Sequence, residues 1–401
     1  MFSVLVKPVA TRRQQREFLA FPRTLYRNDP HWVPPLPAVQ ERLVGYQPHP
    51  FYEAGQAQTF LAYRSGEVCG RVAAILNRAH NEYYGENRGF FGFFECVDDQ
   101  KVADALLGAV RDWFAVQDIH LLQGPVDPGL EYTAGLLVDG FDSPPTFLTR
   151  HNPPYYPRLI EGCGYRKCQD LLAYWGHASM LPAITTKLAP IVEQIIRRYN
   201  VCLRPLCRRH FLRDVKAFLS VYNRSMVDHW GFVPMAAREL EYLASQMRHL
   251  IVPELAVGAE IDGRLAGVVV ALPDYNPRIR EMDGQLFPFG FARLLRKRHA
   301  IKKLRILATN VVPEYQRLGI GLVLLGALVP RTLAWGIEEA EFSWVVESNW
   351  LSRGSLEKGG AKLVKRYRIY DWAPQGVHVP PRPPAVRRPI KLEGYATPAG
   401  M

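Results

Sequence analysis

Residues 60–77 (FLAYRSGEVCGRVAAILN) alternate apolar and polar positions on both sides of Ser65-Gly66. Period-two alternation around a two-residue turn predicts a β-hairpin. Residues 256–274 (AVGAEIDGRLAGVVVALPD) repeat the arrangement around Asp262-Gly263. The two stretches align at an offset of 197, Gly66 with Gly263 and Gly70 with Gly267. Farther on, Glu161 matches Glu357 and Gly164 matches Gly360, at 196. A short strand and an amphipathic helix precede each hairpin: VLVKPV with QQREFLAFPRTLY, then VCLRPL with DVKAFLSVYNRSM. Each half therefore reads β-α-β-β-β-α-β-α-β, an α/β unit with a mixed sheet and helices on both faces. Self-similarity at half the chain length implies a tandem duplication.

The halves are expected at 1–175 and 201–373, joined by a linker at 176–200. A tail at 374–401 with seven prolines reads as an extended arm. At 401 residues, 48% hydrophobic and 22% charged, the chain has the composition of a globular protein with a sizeable core. It has no run of 18 uncharged apolar residues and no secretory leader pattern. The six cysteines lack CxxC spacing and the histidines lack ligand spacing, which argues against metal and for a reducing cytoplasm. The net charge of +12 is local. Residues 278–305 hold nine basic and two acidic side chains, and 362–391 hold eight and one. The rest of the chain sums to −2, so a diffuse basic surface for nucleic acid is not expected.

The chemistry concentrates in residues 304–336, where an apolar strand runs into Pro313, then Gln316-Arg317-Leu318-Gly319-Ile320-Gly321, then a long apolar helix. Gly319 and Gly321 lack the Cβ atoms that keep a ligand from the backbone, and the helix N-terminus suits a phosphate or pyrophosphate. The Gly-Lys-Ser/Thr of a nucleotide P-loop and the dinucleotide GxGxxG are both absent. The order of strand, VVPEY, Gln-x-x-Gly-x-Gly and helix resembles the Gcn5-related N-acetyltransferase (GNAT) family. Its acyl-CoA loop is Arg/Gln-x-x-Gly-x-Gly/Ala. NWLSRGSLEKGGA (349–361) resembles the family's second signature.

The resemblance implies two tandem GNAT-like acyl-CoA N-acyltransferase domains, the second catalytic, with acyl-CoA or acetyl-CoA as co-substrate and no metal. It places the pyrophosphate on the amides of Gln316, Arg317, Leu318, Gly319, Ile320 and Gly321. The pantetheine arm falls along Asn310-Val311 with Asn349 beside it. The first half puts Val97-Asp98-Asp99-Gln100-Lys101 at the loop position, where carboxylates would repel a pyrophosphate, so no CoA is expected there. In the second half Leu356 replaces the family's Tyr, often the acid for the leaving thiolate. Ser355, Tyr367 and Tyr370 are then the alternatives. The amine must lose a proton from a pKa near ~10.4 to a carboxylate or a water chain. Glu347, at the strand end beside the cleft, is the first choice. A solvated strand-end Glu explains it equally.

The segment covering the acceptor in this fold is NRSMVDHWGFVP (223–234), so Asn223, Asp228, His229 and Trp230 are candidate substrate contacts, though a packed Trp and a capping Asp would look the same. The second half also carries about 20 extra residues before its fourth strand, at 278–303, which is the first basic patch. Phe287, Phe289, Phe291, Leu294 and Leu295 there neighbour Arg293, Arg296, Lys297, Arg298, Lys302 and Lys303. That mix suits either a peripheral contact with an anionic inner membrane or a plain solvated surface helix. NDPHWVPPL (28–36), HPFYE (49–53) and GPVDPG (124–129) resemble a bacterial group of tandem GNAT-like proteins, some regarded as ceramide synthases. The expected acceptor is an amine, lipid-like on this reading. A soluble small-amine acetyltransferase, an acyl transferase fed by charged tRNA, and a non-catalytic acyl-CoA or lipid sensor are the competitors.

Overall fold

A computed structural model describes residues 3–377 apart from Asp228 and Phe287. The proposed acceptor contact at Asp228, the patch residue Phe287 and most of the proline-rich tail lie outside the described residues.

The first half runs β1 (Leu5–Pro8), α1 (Arg12–Leu25), α2 (Pro37–Leu43), β2 (Gly55–Arg64), β3 (Glu67–Asn77) and α3 (Arg78–Tyr84). It continues with β4 (Arg88–Cys96), α4 (Gln100–Ala115) and β5 (Leu121–Gly124). Three short strands follow: β6 (Val126–Asp127), β7 (Thr133–Ala134) and β8 (Leu136–Asp139). Helix α5 (Tyr156–Gly162) and strand β9 (Arg166–His177) complete it. The expected linker folds as helix α6 (Leu181–Tyr199). The second half is β10 (Cys202–Pro205), α7 (Phe211–Ser225), α8 (Ala237–Met247), β11 (Ala256–Ile261) and β12 (Arg264–Pro273). Then come α9 (Asn276–Glu281), α10 (Gly290–Leu295), β13 (Lys303–Val311) and α11 (Ile320–Ala334). Strand β14 (Glu339–Val346), helix α12 (Trp350–Lys358) and strand β15 (Lys362–Trp372) complete the described residues.

The duplication is visible in the register. Leu5 faces Tyr63 in β1–β2, and Cys202 faces Glu260 in β10–β11, each 197 positions later. Ser65-Gly66 and Asp262-Gly263 both take positive φ at both residues, the hairpin turn that matches strand twist. Helix α4 buries Val102, Leu106, Val110 and Phe114 on one sheet face, and α11 buries Ile320, Val323, Leu324 and Leu328 on its counterpart. Each such side chain contributes about 1.5–3 kcal/mol.

The halves share one sheet. Among the described residues, the strand order is β1-β2-β3-β4-β5-β15-β9-β14-β13-β12-β11-β10. The last strand of each half is thus exchanged: β15 pairs with β5, and β9 pairs with β14. The two exchanged strands pair with each other from Lys362 opposite Trp175 to Asp371 opposite Arg166. At this seam the buried Asp170 accepts from Arg368 Nε at 2.9 Å and Arg366 Nη1 at 3.1 Å, and Lys167 Nζ lies 3.1 Å away. Burial alone would raise its carboxyl, but hydrogen bonds from Arg368, Lys167 and Arg366 outweigh burial and hold it below the usual range.

Candidate active site

The two parallel strand pairs part company midway. In the second half β13 and β14 pair only from Lys303 opposite Glu339 to Ile306 opposite Phe342. Beyond that β14 stays with β9, and residues 307–311 of β13 face an open wedge. In the first half β4 and β5 part after Phe90 opposite Gln123. There the chain fills its own wedge with β6. A side chain on Gly92 would run into the Val126 carbonyl, and the Phe93 amide donates to Asp127 Oδ1 at 2.5 Å. Asp127 is in turn ion-paired with Arg150. The loop ahead of α4 is closed as well. Asp99 caps the helix by accepting from the Lys101 amide at 2.8 Å and pairs with Arg64, while Asp98 pairs with Arg158.

The open wedge belongs to a cavity of about 1270 Å³, larger than a typical small-molecule site. One wall is the loop into α11. Residues 313–318 form a tight 3₁₀ turn, Gly319 takes φ +78°, and the first amides of α11 have no acceptor within their own helix. Gln316 donates from Nε2 to the Val311 carbonyl at 3.1 Å and braces the turn. The α11 dipole and these amides make a cradle that fits an anionic pyrophosphate. Helix α6 roofs this wall. Ile195 Cδ1 lies 2.6 Å from where a Gly319 side chain would begin, so a larger residue would be strained by the backbone angle and would have to displace the end of Ile195. Beyond the wedge the cavity continues as an apolar arm beneath α7 and α8, past Val215, Phe218, Leu243 and Met247.

The expected donor residues converge. Asn310, Val311, Gln316, Gly319, Gly321 and Asn349 all line the cavity. Asn349 also caps α12, accepting from the Ser352 amide at 3.1 Å, and Asn310 Nδ2 donates to Ser225 Oγ at 2.8 Å. Arg317, Leu318 and Ile320 supply backbone to the loop, while the Leu318 and Ile320 side chains pack into the second-half core. His229 and Trp230 line the cavity at the lid between α7 and α8. Asn223 does not reach the cavity wall. It is buried and clips the lid by donating to the Met235 carbonyl at 3.2 Å.

The expected acid–base groups fare differently. Glu347 is absent from the cavity wall. Its carboxylate accepts from Lys167 Nζ at 2.8 Å and from the Asp170 amide at 3.1 Å, so it belongs to the seam. Tyr367 is fully buried in the core edge-on to Trp344, and burial, then the Glu341 charge, push its phenol up. Tyr370 is buried too, donating to Glu161 at 3.1 Å. Ser355 and Leu356 of α12 do line the cavity, the Ser355 hydroxyl donating to the Leu351 carbonyl at 2.7 Å. Sequence reasoning missed Glu131, Tyr132 and Tyr222, which also line the cavity. The signal for the first two was GPVDPG, which forces the chain into a compact turn just before them.

Among its described residues the basic insertion forms two short helices, α9 and α10, where the sequence suited a single interfacial or solvated surface helix. Leu294 is buried in the core, and Arg278 donates to the Leu294, Arg296 and Lys297 carbonyls. Phe289 is 73% exposed and Phe291 41% exposed. Among the described residues, no helix is long and apolar enough to cross a membrane.

The wedge, the glycine turn and the strand exchange define a tandem GNAT fold. The chain matches a tandem GNAT protein from the clavulanic acid biosynthesis pathway with a TM-score of 0.53 at 13% identity, over 92% of this chain and 98% of that one. A GCN5-related N-acetyltransferase from Sphaerobacter thermophilus matches with a TM-score of 0.51 at 12% identity, over 92% and 95%. No family model matches the chain. It is 34% identical to Protein YghO of Escherichia coli (strain K12), covering 92% of this chain and 95% of that protein. It is 32% identical to the bacterial ceramide synthase of Caulobacter vibrioides, covering 92% and 97%. The chain belongs to the family that contains these two proteins.

Proposed function

We propose that the protein transfers an acyl group from acyl-CoA to the primary amine of a long-chain, apolar acceptor. The observation that carries this reading is the continuity of the cavity, from the Gly319–Gly321 turn through the wedge to the apolar arm beneath α7 and α8. Gln316, Gly319, Gly321, Asn310, Val311 and Asn349 would hold the donor, and its thioester supplies the activated acyl carbon. Positioning amine and thioester in one wedge supplies much of the acceleration. The name of the Caulobacter relative, a ceramide synthase, supports an aliphatic amine as acceptor. Phe291 lies edge-on to His249, two residues past Met247 of the cavity wall. The exposed Phe289 and Phe291 beside Arg293 and Lys297 support a peripheral contact with anionic lipid on that face, from which such an acceptor would enter.

The test is release of free CoA with a panel of amines, with mass spectrometry of the acylated product. Long-chain amines should turn over and short polar amines should not. Turnover confined to short amines would replace this reading by a small-amine acetyltransferase. Tight acyl-CoA binding with no release would leave a sensor. Flotation with anionic vesicles should be lost when Arg293, Arg296, Lys297 and Arg298 are neutralised, and unchanged flotation would reject the membrane contact.

A further inference from the structure

The filled wedge of the first half leaves its residues free for another task. The chain that fills it, β6, continues through Gly129 to Glu131 before β7, and this short ribbon has no counterpart in the second half, where three residues join β14 to α12. The ribbon reaches across the molecule. Tyr132 donates its hydroxyl to Glu239 of α8 at 2.9 Å, and Glu131 enters the wall of the second-half cavity with His229 and Trp230 of the lid. A side chain at Gly129 would begin 2.6 Å from the Glu131 carboxylate, so glycine there lets the carboxylate fold back into place.

Four carboxylates line the cavity among the described residues: Glu131, Glu193, Glu338 and Glu339. Glu193 lies on α6, and Glu338 and Glu339 lie at its approach beside Ala178 and Trp175. Glu131 alone of the four stands with Tyr222 and the lid. Burial, and then the Glu131 charge, push the Tyr222 phenol up, so the phenol keeps its proton. We propose that Glu131, carried by the first half, is the base that accepts the acceptor's proton in the second half's cavity.

This rests on the acyltransferase reading. The ammonium gives one proton to the Glu131 carboxylate, and the freed lone pair attacks the thioester carbonyl. The C–N bond forms and the C–S bond breaks. The second nitrogen proton passes to the departing thiolate, and Glu131 returns its own proton to solvent. Amide, free thiol and one released proton balance the step.

The experiment uses the full chain and the best amine of the panel, with kcat followed against pH and acyl-CoA affinity measured by calorimetry. The Glu131 charge bears on Tyr132 and on Tyr222 of α7, Glu239 of α8 is bonded to Tyr132, and His229 of the lid shares the cavity wall, so His229→Gln is run in parallel. Glu131→Gln should lower kcat at least ~100-fold and abolish the rising acid limb, with acyl-CoA affinity within about twofold. Glu131→Asp, which keeps the carboxylate, should recover about a tenth or more of the lost rate. A Glu131→Gln protein with wild-type kcat and an intact acid limb overturns the proposal. So does a natively folded Glu131→Asp protein with no recovery, or an acid limb that disappears only in His229→Gln. A wild-type chain that releases no CoA with any amine overturns the acyltransferase reading itself, and Glu131's role with it.

Discussion

Lys167 Nζ lies 2.8 Å from the Glu347 carboxylate, joining the end of β14 in the second half to β9 of the first. The carboxylate that sequence reasoning chose as the base is therefore a clamp on the exchanged strands.

Glu347→Gln should leave kcat within about threefold of wild type. The pair is part-exposed, and such pairs contribute about 0–1 kcal/mol, so the thermal midpoint should fall by only a few degrees. Parallel rate and melting measurements check both. A hundredfold loss of rate at native stability would return Glu347 to the chemistry.

Asp170 should matter far more to stability. Asp170→Asn takes the shared carboxylate from Arg366, Arg368 and Lys167, leaving Lys167 with Glu347 and Arg368 with Glu161; removing one partner of a buried pair costs about 3–5 kcal/mol, and these part-exposed cations put the loss at the lower end. Because the folded carboxyl sits below its unfolded value, its contribution is fully present above about pH 4. It is lost as pH falls below that through the folded pKa. Urea unfolding should therefore show a large gap between wild type and variant at pH 7, narrowing toward pH 3.

Gly319→Ala should weaken acyl-CoA binding at least tenfold and destabilise the fold. A side chain at φ +78° costs about 1–2 kcal/mol, and Ile195 adds a steric contact. Adding Ile195→Ala should recover the steric part and leave the backbone part. Calorimetry with acyl-CoA and chemical unfolding of the three variants separate the two.

The first half should bind no CoA. Calorimetric titration should give one acyl-CoA per chain, and Asp98→Asn with Asp99→Asn should not add a second site, because β6 still fills the wedge. Two equivalents per chain would refute this.

Much of the architecture was legible because turn chemistry and period-two alternation are local. Ser65-Gly66 and Asp262-Gly263 announced the same hairpin twice, and Gln316 to Gly321 announced the cradle. The exchange of β9 and β15 was not legible. Alternation specifies which face of a strand is buried and carries no mark of which neighbour it pairs with. Helix α6 has Leu181, Ile184, Leu188, Val192 and Ile195 at helical spacing, but a position between two repeats carries no mark of its own structure. Glu131 was missed because a loop places its side chain through contacts distant in sequence. Asn223 and Tyr367 had the right chemistry at the right elements, but their side chains turn into packing.

The exchanged strands also set a timetable. Gln123 Nε2 of β5 donates to Asp371 of β15 at 2.7 Å, across 248 positions of sequence. During synthesis at about 5–20 residues per second, β5 waits on the order of 10–50 s for its neighbour. Until then an unpaired strand edge is open to other chains. The emerging protein is most vulnerable to mispairing in that interval, and β15 is the strand that ends it.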